Sequence, residues 1–323
     1  MRARTRLSLA SLAVAAVLGV SACGPTGDDT QLVTPTAEAV YPQVQTYPQI
    51  PVIENIPFTR PDSEPQLLDA CFPGDADIDD PSSPPRPAIV VIHGGSWQHG
   101  DKSNINWRSV CQWFASEGFV AVSINYRLAP EHVFPAQLDD ARDAVSWLRD
   151  PAQVARYNID PDRIGAFGGS AGGNLAALLG VTGSGSLTAG TRVGAVVDFS
   201  GPTDIREPIH TTDSYNQDFT VVQLQYVGCS SYVACPTAAA ASPITQVDAT
   251  DPPFFVAHST EDFIPISQSQ DFVSALRDMG VDTTFITVDG TLHSIAMLDD
   301  AMRQRVIAFF RTQLDQNAVE VNR

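Results

Sequence analysis

The run Arg163-Ile164-Gly165-Ala166-Phe167-Gly168-Gly169-Ser170-Ala171-Gly172-Gly173-Asn174 passes from a short apolar segment, through small residues, into a helical pattern around Leu175. It reads as a buried strand over 163–167 that turns tightly into a helix beginning near Asn174. A serine hydroxyl is a poor nucleophile until it is held in the open beside a base, and a sharp strand-to-helix turn meets the first condition. Gly168 and Gly172 leave room for close packing under a strained backbone. The amide of Ala171, at the helix N-terminus, can face a developing oxyanion. Five residues of the form G-x-S-x-G also serve as structural or phosphate-binding turns, so the surroundings must decide.

Outward from this turn the chain repeats the same alternation. Apolar runs over 86–93, 119–126, 193–199, 253–257 and 283–288 read as strands, separated by helical patterns over 134–149 and around Leu175, Phe272 and Val306. Leu138, Ala141, Val145 and Leu148 line one face of the 134–149 helix. Strand then helix, repeated, predicts a mostly parallel central sheet flanked by helices, an α/β class whose ligands sit beyond the carboxyl ends of the strands. Residues 204–248 lack a clean period and read as an insertion over those strand ends, a candidate lid without a long apolar helix.

Three further strand ends carry chemistry. After the first comes His93-Gly94-Gly95-Ser96-Trp97, where consecutive residues without side chains let the amides of Gly94 and Gly95 point into a site. One such donor is worth about 3 kcal/mol to a transition state. The others are Ala257-His258-Ser259-Thr260-Glu261-Asp262 and Asp289-Gly290-Thr291-Leu292-His293. With Ser170 they give the chain order serine, acid, histidine expected when all three lie at one edge of an α/β sheet. Asp262 is the expected acid; Glu261, its neighbour, and Asp289, close to His293 in sequence, fit the expected position less well. His93 and His258 are expected to orient loops, and His99, His132 and His210 to lie on the surface.

The start of the chain decides the expected compartment. Arg2, Arg4 and Arg6 precede an apolar run from Leu7 to Val20, which is short for a membrane span, and Val20-Ser21-Ala22-Cys23 resembles a bacterial lipobox. The expectation is a signal peptide over 1–22, lipidation at Cys23, a Pro-rich tether over 23–51 and one catalytic domain over 52–323, in a cell-membrane lipoprotein exported to the bacterial surface or periplasm. Four cysteines remain and permit two disulfides in any of three connectivities. A local Cys229–Cys235 bridge is the cheapest pairing, with Cys71–Cys111 following from it, while Cys111 also reads as a plain core residue beside Trp107, Val110 and Phe114. With 19 basic and 37 acidic residues the formal charge is −18, which repels phosphate backbones and argues against a nucleic-acid partner. No Cys-x-x-Cys or His-Glu-x-x-His occurs, so neither a metal nor a cofactor is expected, and the oligomeric state is left open.

These motifs together resemble the α/β-hydrolase superfamily, over roughly residues 52–313. Asn125-Tyr126-Arg127-Leu128-Ala129-Pro130-Glu131-His132 is similar to hormone-sensitive-lipase-like esterases. Ile92-His93-Gly94-Gly95-Ser96-Trp97, Gly100-Asp101-Lys102-Ser103 and the serine turn look more like the bifunctional feruloyl and acetylxylan esterase branch. The resemblance implies Ser170 as nucleophile, His293 as base, Asp262 as its acid, and Gly94, Gly95 and Ala171 as oxyanion donors, in an enzyme for short-chain acyl or carbohydrate-linked esters. Two positions depart from the pattern: Ser96 stands at a usual glycine, and Ser259 where glycine often follows the histidine. An amidase or peptidase of the same fold, or a non-catalytic surface binding protein, are the alternative readings.

Overall fold

The computed structural model describes residues 30–33, 45–60, 64–74, 83–210 and 216–321. Nine strands form one sheet, in the order β1(Thr30–Val33), β9(Thr283–Val288), β8(Phe254–Ser259), β7(Ala195–Phe199), β6(Ile159–Gly169), β4(Arg86–Ile92), β5(Val120–Ile124), β3(Leu67–Cys71) and β2(Val52–Pro57). From β1 to β5 every neighbouring pair is parallel, and β2 and β3 close the other edge antiparallel. The expected alternation is present, with β9 matching its predicted bounds.

The sheet separates two apolar layers. Along β4, Ile89 and Val91 face one layer while Ala88, Val90 and Ile92 face the other, which is why this strand is an unbroken apolar run and not an alternating one. The first layer packs on α1(Ile105–Ser116) and α8(Asp300–Val321) through Trp113, Phe114, Val306 and Phe310. The second packs on α2(Ala136–Arg149), α4(Ala171–Val181) and α7(Ser267–Asp278) through Leu148, Leu175 and Phe272. Helix α3(Pro151–Tyr157) follows α2 directly, with Pro151 at its first turn and Asp150 accepting from the Ala152 amide.

The structure corrects the reading in several places. Part of the stretch expected to be a tether is folded: Thr30–Val33 pairs with β9, and Ile50 is buried. Strands β2 and β3 went unread because β2 carries a register shift and shows an irregular burial pattern. Helix α4 begins at Ala171, three residues before the expected Asn174, since no residue of the small-residue run after the serine breaks the helix. Residues 204–248 hold α5(Asn216–Val227), α6(Pro236–Ala240) and a short 3-10 turn, Pro243–Thr245. Both disulfides form: Cys71–Cys111 ties β3 to α1, and Cys229–Cys235 closes a loop within the insertion. Cys111 is also fully buried, so the two readings of it hold together. No helix among the described residues is long and apolar enough to cross a membrane. The proposed signal peptide and Cys23 lie outside the described residues.

Candidate active site

At the end of β6, Ser170 adopts φ 58° and ψ −126° before α4 begins. This is a sparsely populated conformation for a residue with a side chain, and it persists because the surroundings over-determine it. The Ser170 amide donates to the Phe199 carbonyl of β7 at 2.8 Å, and its own carbonyl accepts from the Asn174 amide at 3.1 Å. Glycine is required on both sides: a Cβ at Gly168 would sit 2.0 Å from the Gly172 carbonyl oxygen, and one at Gly172 would sit 2.1 Å from that of Ile92. The turn is thereby pressed against β4, and Ser170 is left partly exposed.

The loop after β4 lies alongside. A Cβ on Gly94 would come within 3.1 Å of the Ser170 Cβ. Among the described residues, the amides of Gly94, Gly95 and Ala171 donate to no other backbone group, so all three remain available as oxyanion donors. His93 shapes this loop and takes no part beyond it. It is buried, stacked on Tyr126 at 4.3 Å, and donates from Nδ1 to the Gly94 carbonyl at 2.8 Å. Burial pushes its pKa down to about 4, so it is neutral.

Two loops at the next strands bring Asp262 and His293 together. His293 Nδ1 lies 2.9 Å from each Asp262 carboxylate oxygen, and Asp262 Oδ1 also accepts the Ile264 amide at 3.0 Å. Asp262 is buried, whereas Glu261 is exposed with its amide donating to the Gly290 carbonyl. Ser259, the departure from glycine, ties the loops directly: its hydroxyl donates to the Leu292 carbonyl, one residue before His293. The ring of Phe263 packs on the His293 imidazole at 4.3 Å. No hydrogen bond joins Ser170 Oγ to His293 among the described residues. The approach of the histidine loop is visible next door, where a Cβ at Gly169 would lie 2.1 Å from Ser294 Oγ, and the Ser294 amide donates to Ser200 Oγ. Serine–histidine bonds of this type are often long until substrate binds.

Several residues of the site escaped the sequence reading. Trp97, Asn174 and Tyr226 are fully buried, and the Trp97 indole stacks on the Tyr226 ring at 4.2 Å and 4°. Both the indole N–H and the Tyr226 hydroxyl donate to Asn174 Oδ1, while Asn174 Nδ2 donates to the Pro202 and Ala241 carbonyls. One amide side chain thus joins the oxyanion loop, the serine helix and the insertion. Trp97 stood in the quoted motif, but nothing in the spacing ties it to Tyr226. Beneath the turn Asp198 is buried, accepts the Gly201 amide through Oδ1 and leaves Oδ2 without a partner. Burial pushes its pKa up to about 7. No cluster of metal-ligating side chains occurs among the described residues.

The comparisons agree with this architecture. The family model described as BD-FAE matches residues 76–276. The chain is 29% identical to Esterase LipC of Mycobacterium tuberculosis over 99% of this chain and 79% of that protein. It is 31% identical to the probable carboxylic ester hydrolase LipM of the same organism over 67% of this chain, spanning about half (51%) of that relative's length. A truncated carbohydrate esterase from gut microbiota superposes with a TM-score of 0.69 at 27% identity, covering 82% of this chain and 96% of that one. The chain therefore belongs to the BD-FAE family, among the α/β-hydrolase serine esterases.

Proposed function

We propose that this ester hydrolase works through Ser170, His293 and Asp262 and forms an acyl-enzyme on Ser170. The observation that carries the reading is the buried Asp262 carboxylate 2.9 Å from His293 Nδ1, beside a serine held at positive φ. Asp262 fixes the tautomer that leaves Nε2 free to accept the serine proton as Oγ attacks the ester carbonyl. The amides of Gly94, Gly95 and Ala171 receive the oxyanion, His293 returns the proton to the departing alcohol, and water releases the acyl group by the same route. Apart from substrate and the hydrolytic water, each step uses side chains and amides of this chain.

The preferred substrates are esters of short acyl chains, including those carried on carbohydrate. Trp97 and Tyr226 fill the space beside the oxyanion loop, which favours a small acyl group, and the carbohydrate esterase among its structural neighbours favours a sugar alcohol. Turnover of aryl acetate, butyrate and octanoate, with the matching acetanilide, tests this. The acetate should be the fastest of the esters and the anilide slower by at least about a hundredfold. A preference for octanoate would overturn the acyl reading, and comparable anilide turnover would make the enzyme an amidase. Lipidation at Cys23 and an exported, membrane-held location belong to the same proposal, supported by the lipobox-like Val20-Ser21-Ala22-Cys23.

A further inference from the structure

The acid loop is gripped by a histidine that the triad does not use. His258, next to last in β8, is fully buried. Its Nε2 lies 2.9 Å from the Ile264 carbonyl oxygen and its Nδ1 2.7 Å from Ser269 Oγ in α7. A carbonyl can only accept, so Nε2 carries the proton and Nδ1 accepts from the serine hydroxyl. The imidazole is neutral, with one tautomer and both nitrogens satisfied. Ile264, which it holds by the carbonyl, also donates its N–H, from the preceding peptide unit, to Asp262 Oδ1 at 3.0 Å. His258 Nε2 is itself 3.8 Å from Asp262 Oδ2, beyond hydrogen-bond reach.

We propose that His258 is the positioning residue of the catalytic acid: by holding the Ile264 carbonyl it fixes the residue whose own N–H, one peptide unit earlier, aims Asp262 at His293. This rests on the reading of Ser170, His293 and Asp262 as a triad. The four residues between Ser259 and Ile264 leave the sheet, and an apolar residue at 258 would bury the Ile264 carbonyl without a donor. Neutrality is part of the role. A charged imidazolium so near Asp262 would compete with His293 for the same carboxylate. Burial lowers the pKa of His258; Asp262 and the hydrogen bond to the Ile264 carbonyl oppose it, and His293 adds a smaller lowering. From α7 the facing group is the Ser269 hydroxyl, and from β9 the paired residue is Thr287, neither of which is charged.

The test compares His258→Leu, His258→Gln and Ser269→Ala with Asp262→Asn, on one aryl acetate, with folding checked by circular dichroism. His258→Leu should lower kcat about a hundredfold with KM within about twofold, as expected when a reacting group is misplaced. The acid limb of kcat/KM against pH should move to lower pH, because a loosened carboxylate stabilises the histidine cation less. His258→Gln can still donate to the Ile264 carbonyl and should lose no more than about tenfold. Ser269→Ala removes only the hydroxyl and should move the acid limb in the same direction. A folded His258→Leu with kcat within about threefold of wild type, or a kcat loss with the acid limb unmoved, overturns the proposal. Should His258→Leu not fold, an unmoved acid limb in Ser269→Ala overturns it. A mild Asp262→Asn defeats the triad reading itself, whereas a severe Asp262→Asn beside a mild His258→Leu defeats only the role of His258.

Discussion

At the scale of single residues, Asp198 sets a pH dependence that needs no catalysis to observe. It lies below the serine turn, where a Cβ on Gly173 or Gly201 would collide with its Oδ1. Burial raises its pKa from the ordinary 3.8 to about 7. The folded state therefore holds a proton that the unfolded chain has released, so stability should fall as pH rises between those two values and level off above the upper one. Asp198→Asn removes the titration, and denaturant midpoints should show a flatter profile across that window and a more stable variant above it. An unchanged slope would mean that Asp198 is ionised in the folded protein. Ser170 shows the opposite economy. Its strain was legible from the flanking glycines alone, because no other residue type fits where Gly168 and Gly172 approach neighbouring carbonyls.

At the scale of elements, the apolar runs that became β4 to β9 were legible because strands buried on both faces have no polar alternation to obscure them. The antiparallel edge was not. Strand β2 interrupts its register between Ile53 and Ile56, and Leu67–Cys71 places the buried Asp69 in mid-strand, where Lys102 and Arg108 pair with it from outside the strand. Of the site, Ser170, Asp262, His293 and the glycine loop announced themselves by spacing after strands. The contact of Trp97 with Tyr226 spans elements far apart in the chain and obeys no local period. That contact should govern both stability and acyl choice. Trp97→Ala should cost about 3–5 kcal/mol, as for other buried aromatic truncations, and Tyr226→Phe about 1 kcal/mol, because Asn174 Oδ1 keeps the Trp97 donor. Trp97→Ala should also raise the relative turnover of longer acyl chains. Tyr226→Phe should not, and chemical denaturation with an acyl-length series on both variants checks the pair.

At the scale of the whole molecule, a sheet with parallel strands gathers chemistry from distant parts of the chain at one end, and the insertion joins it there through Asn174. The formal charge of −18 makes the molecule acidic overall, and cleavage of the proposed signal peptide with Arg2, Arg4 and Arg6 would make it more acidic still. If Cys23 carries the anchor, Cys23→Ser should move the protein from the membrane fraction to the soluble one without changing specific activity, since the triad residues all come much later in the chain. Unchanged partition would assign membrane attachment to another segment. The central claim is that Ser170 is the nucleophile activated by His293 and Asp262. It is tested most directly by covalent capture with a fluorophosphonate, followed by peptide mapping of the adduct. Wild type should carry one adduct, on Ser170, Ser170→Ala should carry none, and Asp262→Asn should react slower by up to about four orders of magnitude. An adduct on any other serine, or labelling that persists in Ser170→Ala, would contradict it.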